Sequence, residues 1–168
     1  MVTTKLPATE RFFQPEISKV YFALAIANIK AVTRPELDAA TDLTDEIADM
    51  SGWNITSGQI NTPDLGNRFV SSITGRTQTD ASSLTVYASL DGADARTVLP
   101  RGTKGFLVFA DGGDVEDYPC DIFPVEVSSV GKIRSTGDQG FQLTIGFAIK
   151  KPPAEDVPLP ALAAGGAG

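Results

Sequence analysis

The stretch Phe141-Gln-Leu-Thr-Ile-Gly-Phe-Ala-Ile149 alternates strictly between large apolar residues and polar or small ones. Successive side chains of a β-strand point to opposite faces, so this pattern places one face on a core and the other outward. The stretch Leu84-Thr-Val-Tyr-Ala-Ser-Leu90 repeats it. Both segments are predicted to be half-buried strands of an antiparallel sheet, in which one face packs on a core and the other meets solvent.

Two further segments are predicted to be central strands. Gly105–Phe109 is a continuous apolar run with aromatic and β-branched residues, and Ile122–Val127 alternates. Pro124 lies within the second segment and is expected to mark an edge or a bulge, because proline cannot donate to a strand ladder.

Val20–Ile26 alternates as well, but alanines fill the intervening positions; a strand is favoured, and a helix over 17–27 is the alternative. Weaker strands are expected at 53–60 and 68–73. About seven short strands joined by turns rich in Gly, Asp, Asn and Ser predict a mainly β protein, a sandwich or a barrel.

Helical pattern is scarce. The best candidate covers 92–99, where Asp91 is expected to cap the start and Pro100 to end the helix. A shorter turn is expected after Arg34, with Pro35 at its first position.

The ends of the chain differ in composition from the middle. Lys150–Gly168 begins Lys-Lys-Pro-Pro and ends in alanines and glycines, which favours extended or disordered chain. We therefore predict an N-terminal arm at 1–10, one domain at 11–150, and a flexible C-terminal arm at 151–168 that lies outside the core. The first ten residues contain no apolar stretch of signal-peptide length, and no window approaches a membrane span, so synthesis in the cytoplasm and no membrane anchor are expected.

The composition argues against catalysis. The chain has no histidine, the side chain best suited to proton transfer near neutral pH and a common metal ligand. Its single cysteine, Cys120, cannot form a Cys-only zinc site or an intramolecular disulfide, and it is expected to be a small, partly buried residue. We expect a protein that is not an enzyme and that needs no cofactor or metal.

The net charge of -7 opposes tight non-specific binding to nucleic acid, which depends on Lys and Arg replacing counterions at phosphates. Seven acidic residues and no Lys or Arg lie within 35–67, and a second acidic cluster spans 111–121. The second cluster could suit calcium, but its spacing does not fit an EF-hand, so a solvated acidic turn is favoured.

Four stretches of the chain resemble the tail tube (major tail) proteins of long-tailed phages that infect actinobacteria. They are Arg11-Phe-Phe-Gln-Pro-Glu-Ile-Ser-Lys-Val-Tyr-Phe22, Ser51-Gly-Trp-Asn-Ile-Thr56, Arg96-Thr-Val-Leu-Pro-Arg-Gly102 and Asp121-Ile-Phe-Pro-Val-Glu-Val127. The resemblance extends over 10–158 and implies a β-sandwich of two packed antiparallel sheets flanked by one α-helix, with extended terminal arms.

The resemblance also implies a function. Six copies would close into a ring, and rings would stack into a hollow tube in the virion. The tube would form around a tape-measure protein, meet tail terminator and baseplate or tail-tip proteins, and conduct DNA without binding it specifically. A non-contractile tail is favoured. A tail terminator or neck ring, the inner tube of a contractile machine, and a monomeric β-sandwich binding module are the alternatives.

Family analogy assigns stacking contacts to a long loop and to the terminal segments, which correspond here to 61–67, 74–83 and the chain after Lys150. The candidate contact residues are Asp64, Thr74, Gly75, Arg76 and Asp80. Sliding DNA requires a lumen that does not attract phosphates, so acidic and small polar residues are expected to line it. Glu126 and Asp138 are the candidates for inward-facing acids.

Overall fold

The computed structural model describes residues 2–163, and within them the chain forms mainly β-strands joined by short connections. This part of the chain has two short helices, α1 (Arg34–Asp38) and α2 (Ala95–Val98), and one 3-10 turn at Thr44–Glu46. The strands are β1 (Lys19–Ala23), β2 (Thr41–Asp42), β3 (Ile47–Ser51), β4 (Ile55–Thr62), β5 (Ser71–Thr79), β6 (Ser82–Tyr87), β7 (Lys104–Ala110), β8 (Pro119–Ile133), β9 (Gln142–Ile149) and β10 (Ala154–Pro158).

The large sheet is rolled. Its strands follow the order β2-β1-β7-β8-β9-β6-β3, all pairs are antiparallel, and β10 adds to β8. Six inter-strand spacings in a flat sheet would separate β2 from β3 by about 29 Å. The five residue steps from Asp42 to Ile47 reach at most about 18 Å. The sheet must therefore curl until its first and last strands approach, so that its two halves face each other.

The inner core fills the space that the rolled sheet encloses. Leu43, in the connection between β2 and β3, and Leu99, after α2, also belong to it, and both are buried. Partly buried Trp53 packs at its margin, with ring centroids 4.9 Å from Phe109 and 5.3 Å from Phe123. The inner core consists of Val20, Phe22, Leu43, Leu84, Val86, Ala95, Leu99, Leu107, Phe109, Phe123, Val125, Val127, Leu143, Ile145 and Phe147.

A second apolar cluster, the outer core, lies on the opposite face of β7 and β8. In β7, Leu107 and Phe109 belong to the inner core whereas Val108 and Ala110 belong to the outer core, so this central strand is buried on both faces. The members of the outer core are Ala23, Ile26, Val32, Leu37, Val108, Ala110, Cys120, Ile122, Ala154, Val157 and Leu159.

The C-terminal segment contributes to this outer core. Ala154–Pro158 forms β10, which pairs with β8, and Leu159 is only 1% exposed. The prediction that the chain after Lys150 stays outside the core is therefore wrong for this stretch. Its proline-rich composition does indicate extended chain, but extended chain with apolar side chains can add to an open strand. The last five residues of the predicted arm, 164–168, lie outside the described residues.

The strand prediction for 20–26 is confirmed over the helical alternative. Val20 and Phe22 enter the inner core, whereas Ala23 enters the outer core, and the strand ends before the exposed Leu24. The predicted helix at 92–99 is shorter than expected. Gly92 has φ +80°, which does not fit a right-handed helix, so α2 begins three residues later.

The cap of α2 is Asp94, whose side chain accepts a hydrogen bond from the Arg96 amide at 3.0 Å; the expected cap, Asp91, instead accepts from the Ala93 amide. The turn predicted after Arg34 is confirmed as α1, with a capping box between Thr33 and Glu36.

One edge of β8 pairs with β7. Along its other edge the pairing strand changes at Pro124, since Ile122 pairs with β10 and Val125 pairs with β9. This position agrees with the expected irregularity. The mainly β class of the fold is confirmed. None of the helices within residues 2–163 is long and apolar enough to cross a membrane.

Candidate assembly surface

A long β-hairpin of β4 and β5 projects from the rolled sheet. It continues the pair of β3 and β6, and three residues, Gly52 to Asn54, separate it from β3. Trp53 anchors this base in the inner core and donates from Nε1 to the Ser83 carbonyl oxygen at 3.1 Å. Gly52 has φ +83°, and a Cβ there would lie 1.9 Å from the Ala81 carbonyl oxygen. The base of the hairpin is therefore fixed to the domain.

The two strands of the hairpin form a separate two-stranded sheet that no other described element covers. Nearly every residue of β4 and β5 is exposed, on both faces. Thr and Ile favour extended chain, and side-chain bonds such as the one between Thr62 Oγ1 and Ser71 Oγ, at 2.9 Å, link the strands. Arg76 carries the hairpin strands' only charge. Charged side chains commonly protect the edges of natural sheets from pairing with other chains, and the strands of this hairpin have little such protection.

Large apolar side chains cluster toward the tip of the hairpin. Ile60 and Ile73 form an exposed cross-strand pair, and Phe69 in the connecting loop is 74% exposed. The apolar tip, as this group is called below, comprises Ile60, Leu65, Phe69, Val70 and Ile73. A concentration of exposed apolar side chains in one element marks an interaction surface more often than a solvated one.

All five predicted contact residues belong to this hairpin or its base. Asp64 lies in the tip loop and accepts a hydrogen bond from the Gly66 amide at 2.9 Å. Thr74, Gly75 and Arg76 lie in β5, where the pairing register with β4 shifts by one residue. Such a bulge bends the strand and increases its twist.

Asp80 lies at the base, and its amide donates to the Asn54 carbonyl oxygen at 3.2 Å. The expectation that 74–83 is a loop is wrong, since these residues are mostly strand; the weak alternation there concealed it. The hairpin thus contains all five residues but spreads them over its length, and their contact role stays a prediction.

The two candidate lumen acids are not brought together. Glu126 is partly buried near one end of the ladder of β8 and β9, where it forms an ion pair with Lys150. That hydrogen-bonded partner lowers the pKa of Glu126. Asp138 is exposed in the loop beyond the opposite end of the same ladder. Their orientation toward a lumen stays a prediction.

One residue of the acidic cluster at 111–121, Asp114, forms an ion pair with Arg34 of the same chain. Arg34 Nη1 and Nη2 each donate to the Asp114 carboxylate at 2.9 Å. These hydrogen bonds lower the pKa of Asp114, while burial, reinforced by Asp114, raises the pKa of neighbouring Tyr21 to about 12. No three acidic or cysteine side chains in residues 2–163 are arranged to hold a metal ion.

Arg34 also holds the C-terminal segment. Its Nη2 donates to the Pro160 carbonyl oxygen at 2.6 Å and its Nε to the Ala161 carbonyl oxygen at 3.0 Å. We call Arg34, Asp114 and these two carbonyl groups the Arg34 clasp. No local sequence pattern predicts it, because the partners lie 80 or more positions apart along the chain.

Buried Cys120 shows the environment expected of a structural thiol. It is 2% exposed in the outer core, and burial raises the pKa of its thiol to about 12. A thiol in this state is a poor nucleophile, so it adds no reactive group to the surface described above.

Solved structures of injection machines share this fold. The sheath/tube terminator of PVC, an extracellular contractile injection system, in its extended state aligns with a TM-score of 0.62 and 11% identity over 89% of this chain and 99% of that one. The extended sheath-tube complex of PVC gives 0.59 at 11% identity over 85% and 90%. The baseplate of the anti-feeding prophage gives 0.55 at 13% identity over 90% and 97%. At these identities the likeness concerns the fold alone.

Comparison with curated proteins found no match. Sequence comparison with family models is decisive, since the model described as "Phage tail tube protein" matches residues 7–162. The match includes the rolled sheet, the projecting hairpin and the C-terminal strand. The chain therefore belongs to the phage tail tube protein family.

Proposed function

We propose that six copies of this chain close into a ring and that rings stack, through the projecting hairpin, into the hollow tail tube of a non-contractile phage of actinobacteria. Family membership makes the chain a structural component of the phage tail. The single observation that carries the stacked assembly is the hairpin with its apolar tip, which no described element of the chain covers.

The energetics of the hairpin support a partner. An isolated two-stranded hairpin is at best marginally stable in water. Exposed Phe69 and Ile73 gain about 1.5–3 kcal/mol each if an interface buries them fully. Because the rolled sheet already has its own core, the hairpin is free to act as the connector between copies.

The edges of the rolled sheet support association as well. Among residues 2–163, β3 pairs with β6 alone, so its other edge presents amide and carbonyl groups that no described strand pairs. Copies that contact each other through different surfaces form a closed ring or an open helix, depending on the rotation between them. A tube of stacked rings needs a lateral contact within each ring, which a sheet edge could supply, and an axial contact between rings, which the hairpin could supply.

Passage of DNA is compatible with the charge of the chain. Symmetry multiplies each inward-facing lysine, and a few phosphate contacts already give strong binding. Each chain carries a net charge of -7, so an assembly of these chains would repel DNA overall. Asp138, exposed and without an ion-pair partner within residues 2–163, suits a lumen acid better than Glu126, whose charge Lys150 compensates.

The partners that follow from this function are the tape-measure protein inside the tube, a terminator at one end, and tail-tip or baseplate proteins at the other. A terminator role for this chain itself is the second candidate, favoured by the fold it shares with the PVC terminator structure. A terminator would form one ring and stop, whereas a tube protein stacks ring upon ring.

Negative-stain microscopy of the concentrated chain tests the proposal. We expect tubes from the wild type and no tubes, at most single rings, from Leu65→Ser/Phe69→Ser, because the tip is proposed to connect one ring to the next. The matched control is Leu90→Ser, which changes an equally exposed leucine outside the hairpin. Single rings without tubes from the wild type would favour the terminator role, and a monodisperse monomer at all concentrations would favour a binding module and contradict the proposal.

A further inference from the structure

A groove of about 430 Å³ runs along the outer face of the large sheet, beside the outer core. Leu24, Phe106 and Pro124 provide its apolar lining, and Leu24 is 74% exposed. The groove is distinct from the hairpin, and no described element of the chain fills it.

Lysines border this groove. Lys104, Lys150 and Lys151 line it together with one acid, Glu126. Glu126 compensates Lys150 through their ion pair, and neither Lys104 nor Lys151 has an ion-pair partner within residues 2–163. The groove is therefore a cationic site on a chain whose net charge is -7.

The opposite charge is concentrated at one edge of the sheet. Asp45, Glu46 and Asp49 are exposed where the chain passes from the 3-10 turn into β3. None of them takes part in an ion pair among the described residues, although Lys19 lines the same cleft as Asp45 and Asp49. These three residues are called the acidic edge below.

We propose that the lysine-bordered groove of one copy receives the acidic edge of a second copy. The inference rests on the proposed function and adds the lateral contact that it requires. Complementary potentials orient two surfaces and set their register, while the apolar floor supplies burial. Because groove and edge are different surfaces, the contact is heterologous and repeats from copy to copy, as a ring demands.

Charge reversal tests the contact. Lys104→Glu/Lys151→Glu and Asp45→Lys/Glu46→Lys are each expected to lower the assembled fraction, measured by analytical ultracentrifugation, by about tenfold or more, since like charges then face each other. An equimolar mixture of the two variants restores assembly, because each reversed groove meets a reversed edge. Lys132→Glu/Arg134→Glu is the matched control for the groove variant and makes the same change in charge. Lys132 is in β8 and Arg134 follows it; both are exposed and lie away from the groove.

Circular dichroism and thermal unfolding establish that each variant is folded before assembly is compared. If the groove variant is folded and still assembles like the wild type, or if the mixture does not recover, the inference fails while the proposed function stands. Equal loss in the control also overturns it. If the wild type itself stays monomeric, the proposed function fails and the inference fails with it.

Discussion

The rolled sheet and the projecting hairpin are built from the same kind of antiparallel strand and differ in what their side chains meet. Along β9, alternate residues such as Leu143 and Ile145 are completely buried, whereas along β4 and β5 even Ile60 and Ile73 are more than half exposed. Burial makes the sheet stable by itself. The hairpin is fixed at its base and otherwise held by strand pairing, which leaves its surface for a partner. Stability and assembly should therefore respond to different mutations.

The largest effect on stability is expected in the inner core. Phe123→Ala removes a ring that is 1% exposed and packs edge-on against Phe109 and Trp53. We expect a loss of about 3–5 kcal/mol in the free energy of unfolding, measured by urea denaturation under monomeric conditions. A loss below about 1 kcal/mol would show that the sheet does not depend on this core.

The strands of the rolled sheet could be predicted because their signal is local. Burial of every second residue in β6 and β9 appears directly as alternation. The hairpin lacks that signal because neither of its faces is buried, so the sequence predicts its strands only weakly and does not distinguish 74–83 from a loop.

Contacts distant in sequence could not be predicted at all. A proline-rich segment indicates extended chain, but nothing in it specifies pairing with β8. Likewise, Arg34 reaches Asp114 and the C-terminal carbonyl groups only after the sheet has folded. The five candidate contact residues lie between these cases: all five belong to the hairpin or its base, but their contact role stays a prediction, because a partner's surface is not described by the sequence of one chain.

The Arg34 clasp should affect stability less than the inner core does. Arg34→Met keeps the aliphatic length but leaves Asp114 without its cation, at a site where Asp114 is 22% exposed. We expect a loss of about 1–3 kcal/mol, between the values for exposed and buried pairs.

The contribution of the clasp should depend on pH. The pKa of Asp114 is lowered in the folded chain, so its stabilising effect is present above the unfolded-state pKa of about 4 and is lost as the pH falls below it. The difference in unfolding free energy between wild type and Arg34→Met should therefore shrink on acidification from pH 7 to pH 3. A difference that stayed constant would contradict the ion-pair explanation.

The hairpin should be sensitive to one glycine, at its base, and tolerant of another, within β4. Gly52→Ala places a Cβ against the Ala81 carbonyl oxygen at a φ of +83°, so we expect a loss of at least about 1 kcal/mol and weaker hairpin anchoring. Gly58→Ala is the matched control, since the nearest atom to its added Cβ is 3.8 Å away. Thermal unfolding and amide exchange of β4 and β5 measure both effects. Equal losses in the two variants would contradict the steric argument.

The smallest effect on stability should come from the hairpin, and one substitution made in both regions tests this directly. Ile73→Thr keeps a β-branched side chain on an exposed strand, so the free energy of unfolding should change by no more than about 0.5 kcal/mol. Ile145→Thr introduces a hydroxyl into the inner core and should cost at least about 2 kcal/mol. Tube formation should show a different pattern: Ile73→Thr, although as stable as the wild type, should assemble less, because a polar group replaces part of the apolar tip. If Ile73→Thr instead unfolded as easily as Ile145→Thr, the hairpin would be part of the folding core rather than a connector between copies.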